Sequence, residues 1–299
     1  MILVKKKRGF TLLELSVVLL LVSALLVVVA NSDEIIGSTR IYSAKSITKS
    51  SPITRMSNLV VWYETTMDQS FETEVDDNFP IDRWNNLSPE ASGNNAISPA
   101  SPTLPDPQTD RLPLYSEFAI NGLPALEFQG EDVNANNRDY FTFNGDKIAN
   151  SNYTVFVVEQ RLNANDNKFF ISGDGGSSLD LGYLDSGTLQ FSHNNAGIGD
   201  DLSFEIGVFT QEIPRIHSFQ FHQTIGREYF LNGNKEVSDS GVDALASYEN
   251  AQIGRNAESA DFYTGHIGEI IIFNKYLNND DRIEVENYLS QKWKINLNN

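Results

Sequence analysis

The stretch REYFLNGNKEV, Arg227 to Val237, carries its own turn. Asn232-Gly233 supplies two residues that take positive φ at little cost, as a two-residue hairpin turn between right-twisted strands requires. The flanks Arg227–Leu231 and Asn234–Val237 are therefore predicted as paired strands. Working outward, similar runs recur at Leu59–Tyr63, Ala125–Phe128, Asp139–Phe143, Tyr153–Val158, Lys168–Ile171, Thr188–Phe191 and Ile216–Phe221. Several alternate apolar and polar side chains, the pattern of a strand with one buried face. About a dozen strands and almost no helix after residue 58 predict a mainly β domain, an antiparallel two-sheet sandwich. One short helix closes the chain. Asn278 or Asn279 caps it, Asp280 and Asp281 sit at its positive end, and Val285, Tyr288, Leu289 and Trp293 form a stripe that packs on the sandwich.

Composition agrees. Hydrophobic residues make up 40% and charged residues 21% of the 299, a globular balance, and 18 Phe, 11 Tyr and 20 Gly suit pleated sheets and tight turns. The net charge of −18 repels phosphate backbones, which excludes nucleic acid as a partner. The absence of cysteine excludes disulfides, thiolate metal sites and Cys nucleophiles.

The N-terminus follows a different period. In KKKRGFTLLEL (residues 5–15) four cations stop at a glycine, and from Phe10 to Ala30 the only polar side chains are Thr11, Glu14, Ser16 and Ser23. As a helix these residues would span about 31 Å, close to a hydrocarbon core, with the basic cluster on the cytoplasmic side. A secretory signal cleaved after Val28-Val29-Ala30 and a plain signal anchor both fit the hydropathy. Neither uses Glu14, an acid that costs a few kcal/mol inside a bilayer.

A third reading uses every residue. Arg8-Gly9-Phe10-Thr11-Leu12-Leu13-Glu14 resembles the processing motif shared by type IV pilins and type II secretion pseudopilins. The resemblance implies cleavage after Gly9 by a prepilin peptidase, N-methylation of Phe10, and assembly with other pilin or pseudopilin subunits through Glu14. There the carboxylate meets the Phe10 amine of a neighbour, and the pair offsets desolvation and selects axial register. It also implies a single-pass precursor in a bacterial inner membrane, later moved into a pilus or pseudopilus, in the periplasm or at the cell surface. The implied organisation is a leader at 1–9, a transmembrane and stalk helix at 10–52, and a sandwich at 58–299. Ile35, Ile36, Ile41 and Ile47 continue the helical spacing, Gly37 weakens it, and Ser50-Ser51-Pro52 stops it.

A second resemblance covers about residues 58 to 296. Asn58–Trp62, Trp84–Ser88, Asn121–Phe128, Tyr229–Gly233, Ile253–Asn256, Gly265–Phe273 and Tyr288–Trp293 are similar, in order and spacing, to bacterial laminin-G-like (concanavalin A-like) jelly rolls. It implies a lectin-like or protein-binding module. Tyr63-Glu64-Thr65-Thr66 departs from that family's pattern of an acid followed by small residues.

No catalytic residue is expected. Glu74-Val75-Asp76-Asp77-Asn78-Phe79 approaches the Glu-x-Asp-x-x-Glu of retaining glucanases of this fold but lacks the second glutamate. His217 and His222 fall on opposite faces of one strand and are assigned packing and surface roles. Asp132, Asn134 and Asp139, in an oxygen-rich loop, are the calcium candidates, with Asp200-Asp201 a lesser one. The function expected is a minor or specialised pilin-like subunit displaying its sandwich for adhesion to a glycan or surface protein. A pseudopilin whose sandwich contacts secretion machinery, and a secreted or anchored carbohydrate-binding module outside any filament, are the alternatives.

Overall fold

The computed structural model describes residues 11–30, 32–99, 112–130, 139–163, 168–173, 177–195, 201–207, 212–241, 243–245, 249–255 and 262–298. Helices α1 (Leu12–Ala30) and α2 (Ser32–Lys49) come first. Strands β1 (Leu59–Glu64), β2 (Phe79–Pro80), β3 (Arg83–Trp84), β4 (Ala96–Ile97), β5 (Leu114–Ile120), β6 (Leu123–Gln129), β7 (Phe141–Phe143) and β8 (Tyr153–Arg161) follow. Then come β9 (Lys168–Ser172), β10 (Ser177–Tyr183), β11 (Thr188–Asn195), β12 (Asp201–Glu205), β13 (Arg215–His222), β14 (Gly226–Leu231), β15 (Asn234–Ser238), β16 (Ala251–Ile253) and β17 (Thr264–Phe273), and α3 (Asn279–Trp293) ends the chain.

The strands form two antiparallel sheets. A nine-stranded sheet runs β15-β14-β13-β8-β17-β6-β5-β2, with β1 added against β17, and an eight-stranded sheet runs β12-β11-β10-β9-β16-β7-β4-β3. The Asn-Gly turn is where the sequence puts it: Asn232 and Gly233 have φ of 48° and 82° between paired β14 and β15. Aromatic and aliphatic residues of both inner faces, among them Trp84, Phe128, Phe141, Phe170, Phe191, Phe219 and Tyr229, fill the space between the sheets. Burying each such side chain contributes on the order of 1.5–3 kcal/mol.

The nine-stranded sheet has a second core on its other face, where α3 and the end of α2 pack. Trp62, Phe156, Val158, Ile216 and Ile271 from the sheet meet Val285, Tyr288, Leu289 and Trp293 of α3 and Ala44 of α2. The predicted stripe is thus a packing stripe. Asn278 is the cap, its side-chain oxygen accepting from the Asp281 amide. Gly268 lets this layer close, because a Cβ there would sit 2.4 Å from the Trp293 ring. The helix stops at Lys49, just before Pro52, as expected.

Among the described residues no helix is long and apolar enough to cross a membrane. Helix α1 has 19 residues, a rise of about 28 Å. The longer span read from the sequence began at Phe10, which lies outside the described residues.

Candidate functional site

Two regions bear on function, the start of α1 and the side of the eight-stranded sheet turned away from the core. At the first, the Thr11 amide and hydroxyl donate to Glu14 Oε2 at 2.8 and 2.9 Å, and the Glu14 amide donates back to the Thr11 hydroxyl at 3.2 Å. This is a capping box, in which the Glu14 carboxylate satisfies the Thr11 amide and the Thr11 hydroxyl satisfies the Glu14 amide. Downstream, Leu12, Leu13, Leu15, Val17, Val18, Leu19, Leu20, Leu21 and Val22 are all exposed, Leu12 to 87%. Their positions run all round the helix rather than along one stripe, a pattern found where a helix is buried on every side. Gly9 and Phe10, the residues of processing, lie outside the described residues.

Inside the sandwich the charged groups are engaged with one another. Glu159, fully buried on β8, accepts from Tyr183 at 2.7 Å and from Tyr263, and meets His217 Nε2 at 2.9 Å. Burial holds the His217 imidazole below its ordinary pKa, against the pull of Glu159; the same burial pushes the Glu159 carboxyl up, but His217, Arg215 and Tyr263 reverse it. Alternation places His217 and His222 on opposite faces, as expected, yet it gave no sign that His217 pairs with an acid.

A second ionic cluster joins α3 to the sheet. Lys292 Nζ lies 2.7 Å from Glu64 and 2.9 Å from Glu269, all three side chains inaccessible to water. Glu269 also accepts from the Trp62 and Trp293 indoles and the Tyr288 hydroxyl, at 2.7, 2.8 and 2.8 Å. Glu64 accepts from the Thr66 amide at 2.9 Å, the Met67 amide at 2.7 Å and the Ser70 hydroxyl. Burial alone would raise the Glu64 pKa, but Lys292 and the hydroxyls bring it below the usual value. Every lone pair here is directed at a partner in the fold, which makes this a structural cluster.

The outer side of the eight-stranded sheet is different. Phe141 and Phe143 enter the core, so Thr142 between them faces outward; Gln252 between Ala251 and Ile253 does the same, as does Asp180 between Leu179 and Leu181. Strand registers align these side chains in a row. Arg83 pairs with Ile97, Ile97 with Thr142, Thr142 with Gln252 and Gln252 with Ser172. Gln252 is 7% exposed, and its side-chain oxygen accepts no hydrogen bond. Three residues beyond Gln252 along the chain, Arg255 lies with its guanidinium 4.9 Å from the Tyr140 ring centre and 5.5 Å from that of Phe262.

Of the other expected residues, Asp132 and Asn134 lie outside the described residues. Asp139 is buried and accepts from the Gln129 amide at 2.9 Å. Among the described residues no group of three or more His, Asp or Glu could hold a metal ion. Glu74, Asp76 and Asp77 are exposed in the connection before β2, not on a strand.

Comparisons with known proteins bear on both regions. The family model for the prokaryotic N-terminal methylation motif matches residues 4–30. No curated protein sequence matches the chain. Among solved structures, Trypanosoma rangeli sialidase in complex with 2,3-difluoro-KDN is similar at 11% identity, covering 85% of this chain and 39% of that one, with a TM-score of 0.51. The CBM40 of Ruminococcus gnavus IT-sialidase bound to alpha2,3 sialyllactose is 12% identical over 54% of this chain and 95% of that one, TM-score 0.43. Domain 4 of the arabinanase AbnA from Geobacillus stearothermophilus, in complex with arabinotriose, is 13% identical over 59% and 80%, TM-score 0.45. At such identities the sialidase likeness bears on the fold alone. The chain therefore carries a prokaryotic N-terminal methylation motif at residues 4–30, followed by a two-sheet antiparallel β-sandwich.

Proposed function

We propose that this protein is a pilin-like subunit whose sandwich is displayed as a binding head, with a glycan as its ligand. The observation that carries the filament part is the methylation motif at residues 4–30 leading directly into a helix with apolar side chains exposed all round. Such a surface demands cover from lipid or from like helices. In the precursor the bilayer supplies it, residues 10–30 spanning the inner membrane with the basic cluster inside; in the filament neighbouring α1 helices do. Prepilin peptidase cuts after Gly9 and methylates Phe10, and the Phe10 amine of one subunit pairs with Glu14 of another. Glu14 is suited to this, since the capping box occupies only Oε2.

The head is a binding module rather than an enzyme: its buried acids are held by structural partners, while Arg255, stacked on Tyr140 and Phe262, pairs with none of the described acids. The laminin-G-like resemblance of residues 58–296 supports the same role. Mass spectrometry of the mature N-terminus tests the filament part. N-methylated Phe10 is expected; a chain starting at Asn31 would overturn it. Adhesion of filament-bearing cells to glycan-coated surfaces, with and without this subunit, tests the head.

A further inference from the structure

We infer that the outer face of the eight-stranded sheet, around Gln252 and Arg255, is a binding site for a sugar that carries a carboxylate. The inference rests on the proposed role of the head as a binding module and adds to it the place and the ligand chemistry.

Gln252 sits in mid-row with one strand on each side, β7 and β9. Its buried, unpaired oxygen costs on the order of 1–3 kcal/mol, a cost that Gln160 shares and that Asn86 avoids. Asn86, nearly as buried, has its amide nitrogen and oxygen both engaged by backbone groups. That oxygen is buried as well as unpaired, so a donor from outside completes it only by entering the face between β7 and β9, and sugar hydroxyl or amide groups are such donors.

Arg255 supplies the second feature. The chain has 40 acidic and 22 basic Lys and Arg side chains, so a guanidinium has many carboxylates to choose from. Yet none of the described acids pairs with Arg255, and its Nε donates to none of the described residues. The group is held instead by the Tyr140 and Phe262 rings, with the Arg255 carbonyl fixed by the Ser172 hydroxyl at 2.6 Å. Aromatic stacking pre-orders a guanidinium without neutralising it, leaving its fork of donors for a planar anion. A carboxylate matches that fork bidentately, and a charge-assisted pair is roughly twice as strong as a neutral one.

The two features lie close enough for one ligand. Tyr140 is two residues before Thr142, about 7 Å along the strand, and Thr142 is the register partner of Gln252. A single pyranose ring can thus place its carboxylate on Arg255, its C–H face against Tyr140, and a hydroxyl or acetamido N–H toward Gln252. Thr142 and the exposed Ile97 continue the platform for a second sugar unit.

The test is calorimetric titration of the full-length protein in detergent micelles with sialyllactose, glucuronic acid and lactose. One or both acidic sugars should bind, with lactose about tenfold weaker or worse. Arg255→Gln should remove about that same factor for the acidic sugars only, and Arg255→Lys should fall between, keeping charge but losing the fork. Gln252→Ala, which leaves the stacked arginine untouched, should weaken acidic sugars and lactose alike, and unchanged thermal unfolding of each variant shows that it folds. Equal binding of lactose and the acidic sugars overturns the carboxylate, while the binding head stands. Acidic sugars that bind both variants as they bind wild type place the site elsewhere. Binding of no sugar by a protein whose filaments still adhere overturns the inference and leaves the proposed function intact.

Discussion

Lys292→Met removes the cation between two buried carboxylates, Glu64 and Glu269, which lie 2.7 and 2.9 Å from its ammonium. Methionine fills nearly the same volume, so the change isolates charge from packing. Breaking a buried pair by deleting one partner costs about 3–5 kcal/mol, which at about 2–4 °C per kcal/mol lowers the sandwich Tm by roughly 6–20 °C at pH 7. The pH dependence should also invert. In the wild type the Glu64 pKa is held down, so its contribution is present above the ordinary carboxylate range and lost as pH falls through the folded pKa. Without Lys292, burial dominates and raises that pKa. The folded state then binds more protons than the unfolded state above about pH 4.5, and stability falls as pH rises from there. Urea denaturation from pH 4.5 to 7.5 reads both effects, and adding Glu64→Gln should return part of the loss at pH 7. A Tm within about 2 °C of wild type, or an unchanged sign of the pH slope, would refute a dry charge cluster at this site.

Three further outcomes are expected. Gly268→Ala puts a methyl into the Trp293 ring, where its Cβ would lie 2.4 Å from the nearest ring carbon; overpacking of this kind costs about 1–3 kcal/mol, visible as a lower Tm with little change in the far-ultraviolet spectrum. Burial holds His193 at a pKa of about 4, so the unfolded chain binds the extra proton between pH 6.5 and 4 and stability falls as pH falls through that window. His193→Phe should flatten this slope by up to about 1.4 kcal/mol per pH unit in urea titrations. Glu14→Ala should leave cleavage after Gly9 detectable by mass spectrometry while reducing recovery of the subunit in sheared filaments; incorporation at the wild-type level would end the register role.

Much of the fold was legible because strand signals are local. Asn232-Gly233 dictates a hairpin wherever it falls, and each polar residue set between two core residues, such as Thr142 in Phe-Thr-Phe, declares which face is outside. The C-terminal stripe was legible for the same reason at helical spacing. What stayed hidden depends on pairs far apart in the chain. Nothing near Glu64 announces Lys292, 228 residues later, or Glu269. The one sign was indirect: Tyr63-Glu64-Thr65-Thr66 broke the pattern of the resembling family. That segment wraps Glu64 with the Thr66 hydroxyl and the Thr66 and Met67 amides, so the departure marks a buried acid rather than a lost binding loop.

The proposed binding face was hidden for the opposite reason. Thr142, Gln252, Asp180 and Ser192 each read as the ordinary outward residue of an amphipathic strand, and only register brings the row together. The oxygen-rich loop of Asp132, Asn134 and Asp139 has the composition of a cation site, although Asp139 is buried and bonded to the Gln129 amide. The more telling signal is a group that lacks what its surroundings could supply. An acidic chain has carboxylates to spare for a guanidinium, and a sandwich rich in hydroxyls has donors to spare for an amide. Arg255 and Gln252 go without, on the same face, within one sugar's reach of each other. The same test applies at the other end of the molecule, where α1 holds apolar side chains that its own chain leaves uncovered. In both places a group is left without what it needs, and the proposed partners fit the two gaps: helices of its own kind at the base, and an acidic sugar at the head.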